Sequence, residues 1–326
     1  MKITYIYHSG FLVESADAYY IFDYYRADFP VTDADKPVYV FVSHRHPDHY
    51  NPYVFEILRE KKVRRMTGII SYDIKPRNYT SHMEGVEIIA AEPDKEYTLD
   101  NGALVRTLRS TDKGVAYVVT FDDGGVPRSV YHAGDLNDWV WDGEDERVNK
   151  WMTGSYRRYL VPVEGMHFDA VMVPVDSRQG DDMFRGIEYL LEKVKADAVY
   201  PMHYWDKPEV IMQFAEKYPQ YADIIRYTED RMDRYSVIED KNPREIVLLR
   251  GSGCVYKKCT FCDYYSDSGK DENVNYMINR AALSQVTGKY GNIEIINSGS
   301  VFELDKRTIE LIKKRCAECM IHTIPG

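Results

Sequence analysis

The sequence predicts an α/β protein in two regions, and three observations carry that prediction. Apolar runs without a helical period, such as Pro37-Val-Tyr-Val-Phe-Val42, read as buried strands. From residue 245 the order is strand, Cys-bearing loop, helix (about Tyr276 to Lys289), strand, helix (about Asp305 to Arg315) and a last short strand from Met320. Between the regions lies a polar, proline-containing stretch, Ile238-Glu-Asp-Lys-Asn-Pro-Arg244. Residues 1–238 are therefore expected as one domain, 239–244 as a linker and 245–326 as a partial βα segment. Two domains suit a chain of 326 residues.

Charge separates the two regions as well. Residues 241–326 hold 13 Lys and Arg against 10 Asp and Glu, so +3, while the whole chain is −10, which leaves −13 for the front. That acidic front argues against general nucleic-acid binding. Acidic residues appear by Glu14, no apolar segment follows Lys2, and no apolar run approaches 18 residues. Neither a signal peptide nor a membrane span is expected, which points to the cytoplasm.

Directly after the strand ending at Val42 comes Ser43-His-Arg-His-Pro-Asp-His-Tyr-Asn51, with the spacing H-x-H-x-D-H. His44, His46, Asp48 and His49 put three imidazoles and a carboxylate within six residues, a concentrated ligand set for a divalent transition metal. On extended backbone alternate imidazoles point the same way. His44 and His46 can therefore grip one ion while Asp48 and His49 turn toward a second.

This motif resembles the signature of the metallo-β-lactamase superfamily, and the resemblance runs over roughly residues 1–235. The Gly-Asp step that ends a strand in that family is matched by Arg128-Ser-Val-Tyr-His-Ala-Gly-Asp135, which offers Asp135 as the carboxylate bridging two ions. The late His is matched by His203 in Asp197-Ala-Val-Tyr-Pro-Met-His203. The opening Ile3-Thr-Tyr-Ile-Tyr-His-Ser-Gly-Phe-Leu-Val-Glu14 and Tyr19-Tyr-Ile-Phe-Asp-Tyr24 look like the first strands of the ascorbate-6-phosphate lactonase-like subgroup. The resemblance implies a four-layer αβ/βα sandwich, two mixed sheets face to face with helices outside. It also implies one or two ions of Zn, Mn or Fe, and hydrolysis of an ester, lactone, amide or phosphodiester, with Asp48 and Asp135 as the catalytic carboxylates.

One family ligand is missing from its usual place. Leu108-Arg-Ser-Thr-Asp-Lys-Gly-Val-Ala-Tyr-Val-Val119 contains no His, so Asp112, Ser110 or Thr111 is left to complete the first site, and Asp112 is the carboxylate there. Oxygen ligands would suit Mn, Mg or Fe better than Zn. His8 and His132, at strand ends, read as groups that steady a ligand or fill the core more than as ligands themselves. Arg178, ahead of a helix expected over Asp182–Lys195, either clamps an anionic small-molecule substrate or pairs with Asp176 to fix its loop. Trp139, Trp141 and Trp205 follow the ligands closely, as packing or as the rim of a pocket.

All five cysteines, Cys254, Cys259, Cys262, Cys316 and Cys319, fall in the second region. Cys254, Cys259 and Cys262 have C-x4-C-x2-C spacing, which suits three irons of a [4Fe–4S] cluster and leaves a fourth open. The segment resembles a branch of the radical SAM proteins. Phe261 would be that family's aromatic before the last Cys, and the turn Asn297-Ser298-Gly299 would hold the amino group of S-adenosylmethionine. A structural zinc site completed by Cys316 or Cys319 is the alternative. The 82 residues from 245 onward are too few for a closed parallel barrel, which needs about 200. This region is therefore expected to be incomplete and prone to association, so a homo-oligomer is allowed, and radical chemistry is not expected of the chain as it stands. Metal-dependent hydrolysis is the expected function. A radical SAM enzyme or a non-catalytic metal-binding module are the other classes.

Overall fold

The computed structural model describes residues 1–230, 234–256, 258, 267–297 and 299–321. The chain divides into two compact units, Met1–Val210 and Ile211–Gly326.

The first unit opens with β1 (Lys2–Tyr7), β2 (Gly10–Glu14), β3 (Tyr19–Phe22), β4 (Val38–Val42), the helix α1 (Val54–Glu60), β5 (Met66–Ser71) and β6 (Glu87–Ala91). These six strands lie side by side in chain order, antiparallel from β1 to β3 and parallel from β3 to β6. A second six-stranded sheet uses β7 (Glu96–Thr98), β8 (Leu104–Arg109), β9 (Val115–Asp122), β10 (Pro127–His132), β12 (Ala170–Pro174) and β14 (Val199–Met202), in the order β14-β12-β10-β9-β8-β7. Between them in sequence come α2 (Glu146–Leu160), β11 (His167–Phe168), α3 (Arg185–Lys193) and β13 (Lys195–Ala196), with β11 and β13 forming a small parallel pair.

The two large sheets face each other. Tyr20 of β3 stacks on Phe121 of β9 at 4.7 Å between ring centroids, and Phe22 stacks on His132 at 5.0 Å. The opposite face of β4 presents Val38, Val40 and Val42 to Val54, Phe55 and Leu58 around α1. Both faces of β4 are thus covered, which is why Val-Tyr-Val-Phe-Val is apolar without alternation. Helix α3 covers the second sheet against β12, and α2 is tied to α3 by the Tyr156 hydroxyl donating to the Gly186 carbonyl at 2.7 Å. The expected four-layer sandwich is therefore the observed one.

Helix α4 (Glu209–Lys217) crosses the division between the units. The second unit contains β15 (Tyr235–Ile238), β16 (Arg244–Leu249), α5 (Glu272–Leu283), β17 (Ile293–Asn297) and α6 (Lys306–Glu318). β16 pairs antiparallel with β15 and parallel with β17, and Val247, Leu249, Leu283, Ile293 and Ile312 form its core.

Three expected segments take a different form. Of residues 239–244, expected as a linker, 239–243 form the turn of the β15–β16 hairpin, with Asn242 at a φ of 54°, and Arg244 begins β16. A polar proline-bearing stretch carries the same signal for either role. The helix expected over Asp182–Lys195 is split: a 3-10 turn covers Ser177–Asp182, with Gly180 at a φ of 57°, and α3 starts only at Arg185. Helix α5 begins four residues earlier than its apolar periodicity suggests, because Asp271 caps it by accepting from the Asn273 and Val274 amides. The strand expected from Met320 falls largely on residues outside those described. Among the described residues no helix is long and apolar enough to cross a membrane.

One buried hydroxyl ties the sheets together. Tyr117 of β9 sends its hydroxyl to the carbonyls of Val42 (2.8 Å), the last residue of β4, and Ile69 (3.1 Å), within β5. Tyr117→Phe leaves those carbonyls without this donor and should lower unfolding free energy by about 1–2 kcal/mol in chemical denaturation. An unchanged denaturation midpoint would show that water takes over the donor's place.

Candidate metal centre

Strand ends supply the site. The parallel strands β3 and β4 end in Asp23 and in the His44–His49 loop, while β10, β12 and β14 end in Asp135, Asp176 and His203. Parallel strands in one sheet finish on one side, so these side chains gather along one edge of the sandwich. His8 comes from the β1–β2 turn and Asp112 from the β8–β9 turn.

Close approach at this edge requires glycine twice. Gly114 has a φ of 72° and Gly134 a φ of 52°; a Cβ would stand 1.9 Å from the Ser43 carbonyl oxygen in the first case and 2.5 Å from the Ser43 Cβ in the second. Ser43, the residue just before the ligand loop, is held between the two turns, and Val115 N donates to its carbonyl at 2.9 Å.

Two groups of ligand atoms result, His8–Asp48–His49–His203 and His44–His46–Asp112–Asp135, and the atoms within each group lie within 4.8 Å of one another. Asp135 joins the groups. Its Oδ2 lies 3.3 Å from His44 Nε2, while its Oδ1 lies 3.2 Å from His49 Nε2 and 3.4 Å from His203 Nε2. Asp48 Oδ2 faces His8 Nε2 at 3.3 Å and the Nε2 atoms of His49 and His203 at 3.9 Å. Asp112 Oδ2 is 3.6 Å from His46 Nδ1. The other candidates in that turn differ from Asp112: the Thr111 hydroxyl donates to the Asn137 carbonyl at 2.7 Å, and the buried Ser110 hydroxyl has no hydrogen-bond partner.

The residues fit a metal. The Nε2 atoms of His8, His44, His49 and His203 and Oδ1 of Asp135 are buried and make no hydrogen bond. Leaving so many polar atoms unmet costs about 1–3 kcal/mol apiece, unless a bound group satisfies them. Three of the opposite nitrogens are held, while His8 Nδ1 has no partner. His49 Nδ1 sits 2.7 Å from Asp23 Oδ2, His203 Nδ1 3.0 Å from Asp176 Oδ2, and His44 Nδ1 2.9 Å from the Ser43 hydroxyl. Carboxylate partners on Nδ1 select the tautomer that turns Nε2 inward as a lone pair.

Electrostatics follows from burial and this crowding. Burial pushes the Asp135 carboxyl toward the neutral form, but His49, His203 and His44 outweigh it and hold the group well below the ordinary carboxylate range. Asp48 is held low in the same way, burial being opposed by His8 and His49. His49 loses proton affinity to burial and regains more from Asp135 and Asp23, so its imidazole lies well above 6.5. Burial lowers His8 and His46. An imidazole ligates only in its neutral form, so affinity for a divalent ion falls as pH is lowered.

A cavity of about 360 Å³ opens over the centre, lined by Asp48, Asp112 and Asp135 together with Trp139, Trp141, Trp205 and Arg178. Trp139 and Trp141 stack with an interplanar angle of 2°, and Trp139 Nε1 donates to the Asp135 carbonyl at 2.8 Å. Arg178 lies over the rings of Trp141 and Trp205 and pairs through Nε and Nη2 with Asp176. The ion pair with Asp176 is the observed arrangement of Arg178, at the rim of the cavity.

His132 is a structural histidine, its Nε2 facing the Ser9 carbonyl at 2.8 Å and its Nδ1 accepting from Gly134 N at 3.2 Å. Asp23, to which the sequence assigned no role, is 1 % exposed and accepts from Ser43 N at 2.7 Å and Ser43 Oγ at 2.6 Å besides facing His49. An acid ending the fully buried run Tyr19–Phe22 was the available signal. In the second unit Cys254, Asn297 and Gly299 are described; Cys259, Cys262, Phe261 and Ser298 lie outside the described residues.

Asp23→Asn keeps the shape but removes the charge behind His49. It should weaken divalent-metal binding about 10–100-fold, measured by calorimetric titration of the metal-free protein. Wild-type affinity in that variant would show that Asp23 serves packing alone.

The model of the beta-lactamase superfamily domain matches residues 2–144. No curated protein matches. Among solved structures, Igni18, a novel metallo hydrolase from the hyperthermophilic archaeon Ignicoccus hospitalis KIN4/I, is 20% identical over 69% of this chain and 93% of that one, with a TM-score of 0.44. CmlA, a diiron beta-hydroxylase from Streptomyces venezuelae, is 13% identical over 62% of this chain and 44% of its own, with a TM-score of 0.39. A queuine lyase from Clostridium spiroforme bound to SAM and queuine is 48% identical over 28% of this chain, with a TM-score of 0.28, and the match spans 40% of that lyase. The stretch similar to the beta-lactamase superfamily domain, residues 2–144, carries His8, the whole His44–His49 loop, Asp112 and Asp135.

Proposed function

We propose that the chain is a metal-dependent hydrolase that cleaves an ester, lactone or phosphodiester in a small anionic substrate. The observation that carries this reading is the Asp135 carboxylate standing between two groups of buried imidazoles whose inward nitrogens have no hydrogen-bond partner. Asp48, His49, Asp135 and His203 would hold one ion, and His44, His46 and Asp112 would share Asp135 for a second, with Zn, Mn or Fe as the candidate metals. Divalent ions supply an activated water near neutral pH and Lewis-acid polarisation of a carbonyl or phosphoryl oxygen.

The side chains do the rest. Asp48 lines the cavity and is kept ionised, so it can accept a hydrogen bond from the attacking water and orient it. The indoles of Trp139, Trp141 and Trp205 exclude bulk water and offer flat apolar walls to a ring-bearing substrate. Arg178 gives Nε and Nη2 to Asp176, which leaves Nη1 to meet an anionic group at the rim.

Asp135→Ala should lose bound metal and turnover together on a panel of aryl esters, lactones and bis-aryl phosphodiesters. Asp48→Asn should lower kcat about 10²–10⁴-fold while the bridging carboxylate still retains metal. Arg178→Ala should raise KM for anionic members of the panel and spare neutral ones. Metal-replete wild-type protein that turns over none of the three substrate types would defeat the reading.

A second reading attaches to the second unit, where Cys254, Cys259 and Cys262 would hold a [4Fe–4S] cluster beside S-adenosylmethionine at Asn297, Ser298 and Gly299. Its support is Glu303, whose Oε1 accepts from Val255 N at 2.7 Å and Oε2 from Ser300 N at 2.6 Å, so the start of the Cys loop and the end of the β17 turn share one carboxylate. A Cβ at Gly299 would stand 1.8 Å from Glu303 Oε2. Anaerobic reconstitution should yield iron and labile sulfide that disappear in Cys254→Ala. Zinc retained in place of iron would favour the structural alternative.

A further inference from the structure

We infer that His8 is itself a metal ligand, and that the group His8–Asp48–His49–His203 fills first and binds more tightly than the group His44–His46–Asp112–Asp135. The inference rests on the two-ion centre proposed above but not on any reaction it performs.

His8 stands in the β1–β2 turn at a φ of 58° and is 1 % exposed, yet neither Nδ1 nor Nε2 has a hydrogen-bond partner. An imidazole that only fills space in this protein looks like His132, with both nitrogens engaged by backbone. The main chain instead aims His8 at the centre. Its amide donates to the Tyr5 hydroxyl at 2.8 Å and its carbonyl accepts from His203 N at 3.1 Å, so the two histidines are coupled, with rings 4.3 Å apart. Its Nε2 then reaches Asp48 Oδ2 at 3.3 Å.

The order of filling follows from composition and rigidity. The first group has three imidazoles and one carboxylate, and two of the imidazoles are backed by buried carboxylates, Asp23 and Asp176. The second group has two imidazoles and two carboxylates, and its His46 and Asp112 side chains are 36% and 39% exposed. Ligands already fixed lose less freedom when an ion arrives. Three imidazoles also favour Zn or Fe, while the more oxygen-rich group suits Mn. The loss of a His from the 108–119 stretch is thus offset by an extra His on the other ion.

The test is titration of the chelator-treated full chain with Co(II) and Zn(II), followed by calorimetry and by cobalt absorption. Two steps per chain are expected. His8→Ala should weaken the tighter step by at least about 10-fold and spare the weaker one, since losing a ligand costs no less than losing its support. His46→Ala should remove the weaker step and leave the tighter one intact. Circular dichroism and thermal melting of the metal-free variants report folding; if His8→Ala melts early, His8→Phe fills the same space without a nitrogen. An unchanged tighter step in a folded His8 variant, a tighter step lost in His46→Ala, or a wild-type chain binding no ion would overturn the inference. Two steps in a wild-type chain without turnover would instead defeat the hydrolase reading and leave this one standing.

Discussion

Asp23 is the group on which the metal edge depends. A carboxylate 1 % exposed is tolerable only when its lone pairs are used, because an unpaired buried charge costs several kcal/mol. Here one oxygen accepts from Ser43 N, and the other takes the Ser43 hydroxyl and faces His49 Nδ1. Ser43 in turn meets His44 Nδ1, so the orientation of two candidate ligands runs through one carboxylate. Asp135 repeats the logic on the inner side: it is buried, held ionised by His49, His203 and His44, and joins both ligand groups. Imidazoles and carboxylates compensate each other, and the fold can therefore keep this much charge at a sheet edge.

The parts legible in the sequence are those whose signal is contiguous. Apolar runs mark the strands, with β4 reading as buried from five residues alone, while the four-layer sandwich is implied by the family resemblance. His44, His46, Asp48 and His49 stand out because they are neighbours in the chain, and Asp135 and His203 because they match positions that the family resemblance singles out. Asp23 directly follows a strand, but a single acid after Tyr-Tyr-Ile-Phe carries no mark of what it will face. His8 is harder still. Its Nε2 meets Asp48 only because β1 lies three strands from β4 in one sheet, a relation no local spacing records. The crowding of Gly114 and Gly134 on Ser43 is equally a product of two sheets meeting. Boundaries in the second region shifted for a simpler reason: caps such as Asp271, rather than apolar periodicity, decide where a helix starts.

The site also carries a conformational cost. His8, Asp23, His203 and Trp205 all have φ between 41° and 64°, in the left-handed region that non-glycine residues avoid. Each such residue costs on the order of 1–3 kcal/mol and persists only where its surroundings fix it. The surroundings here are strand ladders on either side: β1 and β2 around His8, β3 before Asp23, and β14 before His203. A left-handed residue turns the chain sharply just after a strand, so the side chain points across the sheet edge instead of along it. Of the nine non-glycine residues with positive φ among those described, these four stand at, or directly behind, the point where the imidazoles converge, while Ala27, Lys62, Asp94, Asn242 and Met320 lie in turns elsewhere. At these four positions the same turn that makes the backbone unfavourable brings the side chain to the edge where the candidate ligands gather.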